Sequence, residues 1–325
     1  MKKTLVLENK EVSILEPVPP YNLDATVFKP SHYTDTLKIY EKGKYWFSMR
    51  LNNKIYGIKM EDLGTIDKPK VRITIFSKSK PPKNEMAGII NELKFRFEFN
   101  RNISAFYKKF KNDRVLSPFL KRWYGMHGSC TQNLYGLLMI GIFLQNTVVK
   151  RTVQMTRGML EKYGTKVKFD GKEVYEFWKP EEMSKVPEKD LRKLKVGYRA
   201  KLFIKLSETF VNEKIDEFEL RNMSVERAKE RLIKLYGVGP ETARILLQEA
   251  LHHYDIFEHV APWQQKMYSR LLFNKELVPA QKIIAYIKTN WGEWAALAAS
   301  YVWEDIFWQR KREKKIEWLE KEIRL

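Results

Sequence analysis

A chain of 325 residues with 60 Lys+Arg against 40 Asp+Glu carries a formal charge of +20, which favours a polyanionic partner and puts nucleic acid first. Its length suits about two domains of roughly 100–200 residues each, and the lone Cys130 excludes an internal disulfide, a four-thiolate zinc site and an iron–sulfur cluster built within the chain. The apolar run Leu137–Leu144 is too short to span a bilayer and Leu5-Val6-Leu7 too brief for a secretory signal, so no membrane association and an intracellular, DNA-associated location are expected.

Residues 1–102 have the patterning of a mixed α+β unit. Tyr45 to Leu51 alternates Phe47, Met49 and Leu51 with Ser48 and Arg50, and Asn52-Asn53 offers a turn into a second strand, Ile55 to Met60. Val71, Ile73 and Ile75 alternate likewise, as do Leu93, Phe95, Phe97 and Phe99 against Lys94, Arg96 and Glu98; the expectation is an antiparallel sheet with one buried face. Glu85 to Glu92, entered after Pro81-Pro82, has helical spacing.

From Ile103 the spacing is helical to the carboxyl terminus, so residues 103–325 form a second, all-α unit. Leu134 to Phe143 is apolar on nearly all sides and predicts a helix enclosed by its neighbours. Val225, Ala228, Leu232 and Leu235 share one helical face, as do Ala243, Leu247 and Ala250, and Gly237-Val238-Gly239-Pro240 lies between them: a helical hairpin over residues 225–250. Glycine there permits positive φ and close backbone approach, Pro240 suits a first helical turn, and amides at that helix start can bind a phosphate. Trp294 to Trp308 precedes a charged tail, Gln309 to Leu325, predicted as a solvated helix.

The segment Leu235-Tyr236-Gly237-Val238-Gly239-Pro240-Glu241-Thr242-Ala243 resembles the helix-hairpin-helix of base-excision DNA glycosylases, the superfamily of endonuclease III, AlkA and 8-oxoguanine DNA glycosylase. Three further segments agree in order and spacing. Pro19-Tyr21-Asn22-Leu23-Asp24-Thr26 resembles the opening of AlkA-type and 8-oxoguanine glycosylase amino-terminal domains. Leu144-Gln145-Asn146-Thr147 is similar to the turn that fills the gap left by an extruded base, and Val196-Gly197-Tyr198-Arg199-Ala200-Lys201 is similar to a Leu-Gly-Tyr-Arg-Ala segment of the same branch. The resemblance implies an amino-terminal sheet domain followed by a two-lobed helical glycosylase core.

One position departs from the pattern. The family carries an essential Asp after the hairpin, preceded by Val and followed by a basic residue at plus five and Arg at plus nine; Val260, Lys266 and Arg270 match, Trp263 stands where the family has His, and the Asp position is Ala261. The register that uses His259-Val260 loses the plus-nine Arg and supplies no carboxylate, while Asp255 and Glu258 sit too early. Two explanations fit Ala261: an Asp-to-Ala replacement that inactivates the chain, favoured because the surrounding pattern is preserved, or a homologue that binds without cutting. Lyase members place a lysine at the position of Glu241, and a carboxylate cannot form a Schiff base, so a monofunctional enzyme without lyase activity is implied.

The resemblance implies a monomer that bends double-stranded DNA, flips a damaged or modified base and hydrolyses its N-glycosidic bond. Gln145, Asn146, Thr147, Gly237, Val238, Gly239, Thr242, Lys266 and Arg270 would contact DNA, and Trp123, Tyr135 and Trp263 are candidates to stack on the extruded base. The carbonyls of Ile233, Leu235 and Val238 would hold a structural Na, K, Mg or Ca ion; no cofactor is required, and His127, His252, His253 and His259 lack zinc-ligand spacing. Alkylated purines are the first expected substrates, since oxidised guanine usually accompanies a lysine enzyme. The second reading is a noncatalytic module that binds damaged or bent DNA.

Overall fold

A computed structural model describes residues 3–32, 36–254 and 256–312. Strands β1 (Lys3–Val6) and β2 (Asn9–Leu15) lead to a short helix, α1 (Leu23–Val27). Then come β3 (Lys38–Glu41), β4 (Lys44–Leu51), β5 (Lys54–Asp62), β6 (Val71–Ser77) and helix α2 (Lys83–Arg96). Strands β2 to β6 form one antiparallel sheet in the order β2-β6-β5-β4-β3. Asn52 and Asn53 both take positive φ, 47° and 63°, which is the geometry a two-residue hairpin turn demands and why asparagine serves there.

The predicted strand over Leu93 to Phe99 is instead the end of α2 and a turn. Ile89, Glu92, Leu93 and Arg96 lie on one buried helical face, and the Phe97 amide still donates to the Leu93 carbonyl. Glu98 then turns the chain at φ 53°, so Phe97 and Phe99 reach the core from a loop and their alternation mimics a strand.

The second unit contains α3 (Ser104–Phe110), α4 (Ser117–Arg122), α5 (Leu134–Leu144) and α6 (Val149–Tyr163). It is not all-α as expected: β7 (Thr165–Phe169) and β8 (Lys172–Glu176) form a hairpin, and β1 joins β7 in parallel to make a three-stranded sheet. This hairpin also corrects the expectation of a single buried sheet face. Tyr45, Phe47, Met49, Ile58 and Ile73 pack with Ile89 and Leu93 of α2, while Trp46 and Phe76 pack with Val167, Phe169 and Val174. Residues that alternate as polar reach the hairpin as well: the Trp46 indole donates to Asp170 (2.8 Å), Ser48 to the Tyr175 carbonyl (3.2 Å) and Arg50 to the Phe177 carbonyl (2.8 Å).

Helices α7 (Pro180–Met183), α8 (Glu188–Arg192), α9 (Arg199–Glu213), α10 (Glu217–Arg221), α11 (Val225–Ile233), α12 (Pro240–Glu249), α13 (Pro262–Phe273), α14 (Ala280–Trp291) and α15 (Ala295–Lys311) complete the described chain. Their apolar side chains separate into two clusters. One gathers α5, α6, α9, α11 and α12 around Met139, Phe143, Phe203, Leu232 and Leu247. The other gathers α3, α4, α13, α14 and α15 around Phe106, Leu120, Tyr268, Ile287 and Tyr301. Helix α5 is enclosed as predicted, with Leu134, Leu138, Met139, Ile142 and Phe143 buried. The buried Cys130 thiol donates to the Gln132 carbonyl, a packing role. Of the charged tail, residues 313–325 lie outside the described residues.

Candidate active site

The hairpin forms where the sequence places it. Ser224 caps α11, its hydroxyl accepting from the Arg227 amide, and Ala228, Leu232 and Leu235 are buried. The Val238 amide donates to the Leu235 carbonyl (3.0 Å), closing the turn. The two glycines have different reasons. Gly237 takes φ +81°, where an L side chain is strained, and a Cβ there would stand 3.1 Å from Leu202. Gly239 has φ −92° and caps α12; an added Cβ would meet no protein atom within 4 Å. Neither its conformation nor internal packing requires glycine at 239, but it is the N-cap of α12, where glycine is preferred over alanine. The expectation of positive φ therefore holds at one glycine, not both.

A second surface turn follows α5. Gln145 caps the helix and Asn146 turns the chain at φ 45°, leaving Leu144 and Val148 exposed on either side. The Val196–Lys201 segment supports this turn from below. Buried Arg199 donates to the carbonyls of Ile142 (3.1 Å), which the Gln145 amide also reaches, and of Gln145 at the helix cap. The Asn146 side-chain amide reaches the Tyr198 hydroxyl at 3.3 Å. Since Leu202 of α9 abuts Gly237, α9 links this turn to the hairpin.

Beside the hairpin opens a cleft of about 470 Å³, lined by four stretches of the chain: residues 29–32, 127–129, 241–268 and 296–304. Helix α12 contributes Glu241, Arg244, Ile245, Gln248 and Glu249, the helical face opposite the buried Ala243, Leu246, Leu247 and Ala250. Ala261 and Trp263 enter from the start of α13, Trp303 and Glu304 from α15, and Lys29 and His32 from the segment after α1. Trp263 and Trp303 meet with ring centres 4.4 Å apart and 51° between planes, forming an aromatic wall. Arg244 clamps Glu241 through two bonds (3.0 and 2.6 Å) and also holds Gln248 (2.9 Å).

The Pro19–Thr26 segment places Lys29. The Asn22 side chain caps α1 by accepting from the Ala25 amide (3.0 Å), and the Thr26 hydroxyl accepts from the His127 amide (3.1 Å). Lys29 then donates to the His127 carbonyl (2.8 Å), and Ser31 holds Glu304 through its amide and hydroxyl (3.0 and 2.6 Å). Beneath lies Glu98, which accepts from the Gly128 amide and from Arg101, both at 2.8 Å. Burial opposes its ionisation, but the His127 ring, its Nδ1 3.5 Å away, and the Arg101 charge hold its carboxyl well below the usual range.

Titratable groups in the cleft are displaced the other way. Burial raises the Glu304 carboxyl against the pull of Lys29, whereas Glu249 is open to the cleft. Burial lowers Lys29 against the opposing pull of Glu304 and Glu249, and it takes His252 down to about 4.

Of the predicted residues, the structure brings Glu241, Ala261 and Trp263 to one cleft. Ala261 is the N-cap of α13, with Pro262 in the first turn, and its amide donates to the Gln264 side chain (3.0 Å); alanine offers no side-chain acceptor in return. Asp is among the preferred residues for such a position. Trp123 and Tyr135 are corrected as base-pocket candidates. Trp123 is buried with its indole on Asp305 (3.1 Å), and Tyr135 bonds Ser207 (2.6 Å) and Trp178 (3.2 Å), both away from the cleft. Glu258 pairs with Lys229 (2.6 Å) and does not line the cleft; Asp255 lies outside the described residues. Lys266 and Arg270 lie on α13, with Arg270 exposed. Thr242 lies in the first turn of α12. Sequence reasoning missed Lys29, Glu249, Trp303 and Glu304. Only Glu249 left a signal, on the 241/245/248/249 face of a helix already identified.

Ile233 is the last residue of α11, and Leu235 and Val238 lie in the turn that follows, the Leu235 carbonyl accepting from the Val238 amide.

No family model matches the chain. The DNA-3-methyladenine glycosylase of Bacillus subtilis is 23% identical over 215 residues, which cover 65% of this chain and 70% of that protein. The 3-methyladenine DNA glycosylase from Archaeoglobus fulgidus superposes with a TM-score of 0.74 at 18% identity, covering 94% of this chain and all of that one. The chain has the fold of a DNA glycosylase. The 8-oxoguanine glycosylase/lyase of Clostridium acetobutylicum, in complex with double-stranded DNA, gives a TM-score of 0.68 at 19% identity over 94% of this chain and 98% of that one. The shared architecture is the mixed one described above, a sheet region with a helical core. Among the described residues no helix is long and apolar enough to cross a membrane.

Proposed function

We propose that the chain is a base-excision DNA glycosylase that binds duplex DNA, extrudes one damaged or modified base into the cleft and hydrolyses its N-glycosidic bond as a monomer. The observation that carries this reading is the convergence of the hairpin helix, the Ala261 helix start and the Trp263–Trp303 wall on one cleft of about 470 Å³, enough for a single base. The two helical clusters would act as lobes on either side of that cleft. The formal charge of +20 supports affinity for the phosphate backbone. The Gly237–Gly239 turn would receive a phosphate with a cation on the Ile233, Leu235 and Val238 carbonyls, and Gln145, Asn146 and Thr147 would occupy the gap in the stack. Lys266 and Arg270 add positive charge on α13, with Thr242 in the first turn of α12.

Glu241 supports a monofunctional reaction, since its carboxylate is clamped by Arg244 and cannot form an imine. An aspartate at 261 would cap α13 and place a negative charge where an oxocarbenium-like sugar develops. With alanine there, binding and flipping are retained and turnover is impaired. Alkylated purines head the substrates, in keeping with the two 3-methyladenine glycosylases above. The test is single-turnover base release from duplexes bearing alkylated, oxidised, deaminated or methylated bases, comparing the chain with Ala261→Asp. Faster release of one base by the Asp variant without strand cleavage supports the reading. DNA binding with no release by either chain overturns it in favour of a noncatalytic module for damaged DNA.

A further inference from the structure

We propose that a second cavity, remote from the cleft, is a binding site for a nucleoside monophosphate. It measures about 480 Å³, a volume that suits a mononucleotide, and opens where the β4–β5 turn, the segment after β8 and the start of α10 meet. Tyr135 lines it from the first turn of α5 and Phe210 from the last turn of α9. The 144–148 turn lies at the other end of α5, about 15 Å away along the helix. The cleft and this cavity share no described lining residue, so the site stands apart from the glycosylase reading above.

The inner end offers an acceptor and a donor side by side. Glu176 is 5% exposed, and its Oε2 has no hydrogen-bond partner among the described residues, a state that costs stability unless a ligand or water donates to it. Arg50 donates to the carbonyl of Phe177, the next residue (2.8 Å), and its guanidinium keeps further N–H donors for a ligand. A nucleobase edge, which sets a donor beside an acceptor, complements that pair. Tyr135 and Phe210 meet edge to face with ring centres 5.1 Å apart, and with the exposed Phe218 they give apolar surface for the flat face of a base. At the outer end stand Lys179 and Lys214, the latter at the C-cap of α9, and neither ammonium has an ion-pair or hydrogen-bond partner among the described residues. Two such ammoniums suit a phosphate. The other charges on the wall are committed: Asp216 caps α10, Glu217 is held by Arg221 and the Leu134 amide, and Arg96 is held by Glu92 and the Thr131 carbonyl. Only the exposed Glu181 adds an uncommitted carboxylate to the described outer wall.

The experiment is a calorimetric titration of the full chain with each deoxynucleoside monophosphate and with inorganic phosphate, repeated on Glu176→Gln and on Lys179→Ser combined with Lys214→Ser. The expected result is that at least one nucleotide binds about tenfold or more tighter than inorganic phosphate, since the base adds its own contacts. The lysine pair variant should weaken that nucleotide by about tenfold or more, and Glu176→Gln should weaken it about tenfold while leaving inorganic phosphate unchanged. Lys179 and Lys214 make no polar contact in the free protein, so their variant folds as the native chain does and decides the matter if Glu176→Gln fails to fold. Binding of no nucleotide overturns the assignment, as does equal affinity for nucleotides and inorganic phosphate, which marks an ordinary anion site. Nucleotide binding that ignores the lysine substitutions places the ligand elsewhere and overturns it too. So does an equal loss of duplex DNA affinity in the lysine variant, because the lysines would then belong to the DNA face.

Discussion

The rim of this protein and its cleft are built by opposite means. The rim consists of two short turns, 144–148 and 236–239, shaped by backbone: positive φ at Asn146 and Gly237, an unencumbered Gly239, and a helix start beside it. The cleft is made of side chains from four distant segments, and ionisable groups inside it depart from their ordinary behaviour. A surface that meets a repeating phosphate backbone needs only geometry and positive charge, whereas one that handles a single base needs groups converging from several directions.

Five substitutions sharpen the contrast. The largest effect is expected from Ala261→Asp, which should raise single-turnover base release by roughly 10²–10³-fold. Differential scanning should also show a higher Tm, since the N-cap gains an acceptor worth ~0.5–2 kcal/mol. A Tm that rises without any gain in release would separate the cap from the chemistry.

Glu98→Gln comes next, removing the carboxylate beneath the cleft and costing about 3 kcal/mol in denaturant titrations because buried ion pairs lose that much when one partner goes. The carboxyl is depressed in the fold, so below its ordinary 4.5 the unfolded chain binds more protons and stability falls with acid. The variant should lose that acid sensitivity; an unchanged acid limb would place it elsewhere.

On the rim, Arg199→Ala should cost about 2 kcal/mol by removing a buried charged donor from the Ile142 and Gln145 carbonyls, and it should weaken DNA binding by loosening the 144–148 turn. Gly239→Ala should weaken DNA binding by about tenfold while lowering stability by only about 0.5 kcal/mol, because the added methyl meets no protein atom and only the N-cap preference is lost. The matching Gly237→Ala should instead lower stability by about 1 kcal/mol, given its positive φ. If both glycine variants behave alike, the distinction drawn between conformation and approach fails.

The hairpin, α5 and the β4–β5 turn were legible because each depends on local rules: helical spacing on either side of a glycine turn, an all-apolar run, two asparagines between alternating strands. The position of Ala261 was legible only by pattern, through its spacing from Lys266 and Arg270. The β7–β8 hairpin was written in the sequence, with Lys166 and Lys168 alternating against Val167 and Phe169 ahead of an Asp170-Gly171 turn, but its short strands lie inside a helical stretch and its partner strand β1 lies at the far end of the chain. Leu93 to Phe99 misled because a helix end followed by a turn can bury every second residue.

Sequence by itself determined the basic charge, the hairpin with its glycines, the alanine at 261 and the glutamate at 241, since each is a property of one residue or one short segment. Tertiary structure decided which side chains share the cleft. It took Trp123 and Tyr135 into the core and brought Lys29, Glu249, Trp303 and Glu304 to Ala261. The reason is that burial and convergence depend on how helices far apart in the chain pack together, and the behaviour of an ionisable group follows from those neighbours rather than from its own residue type.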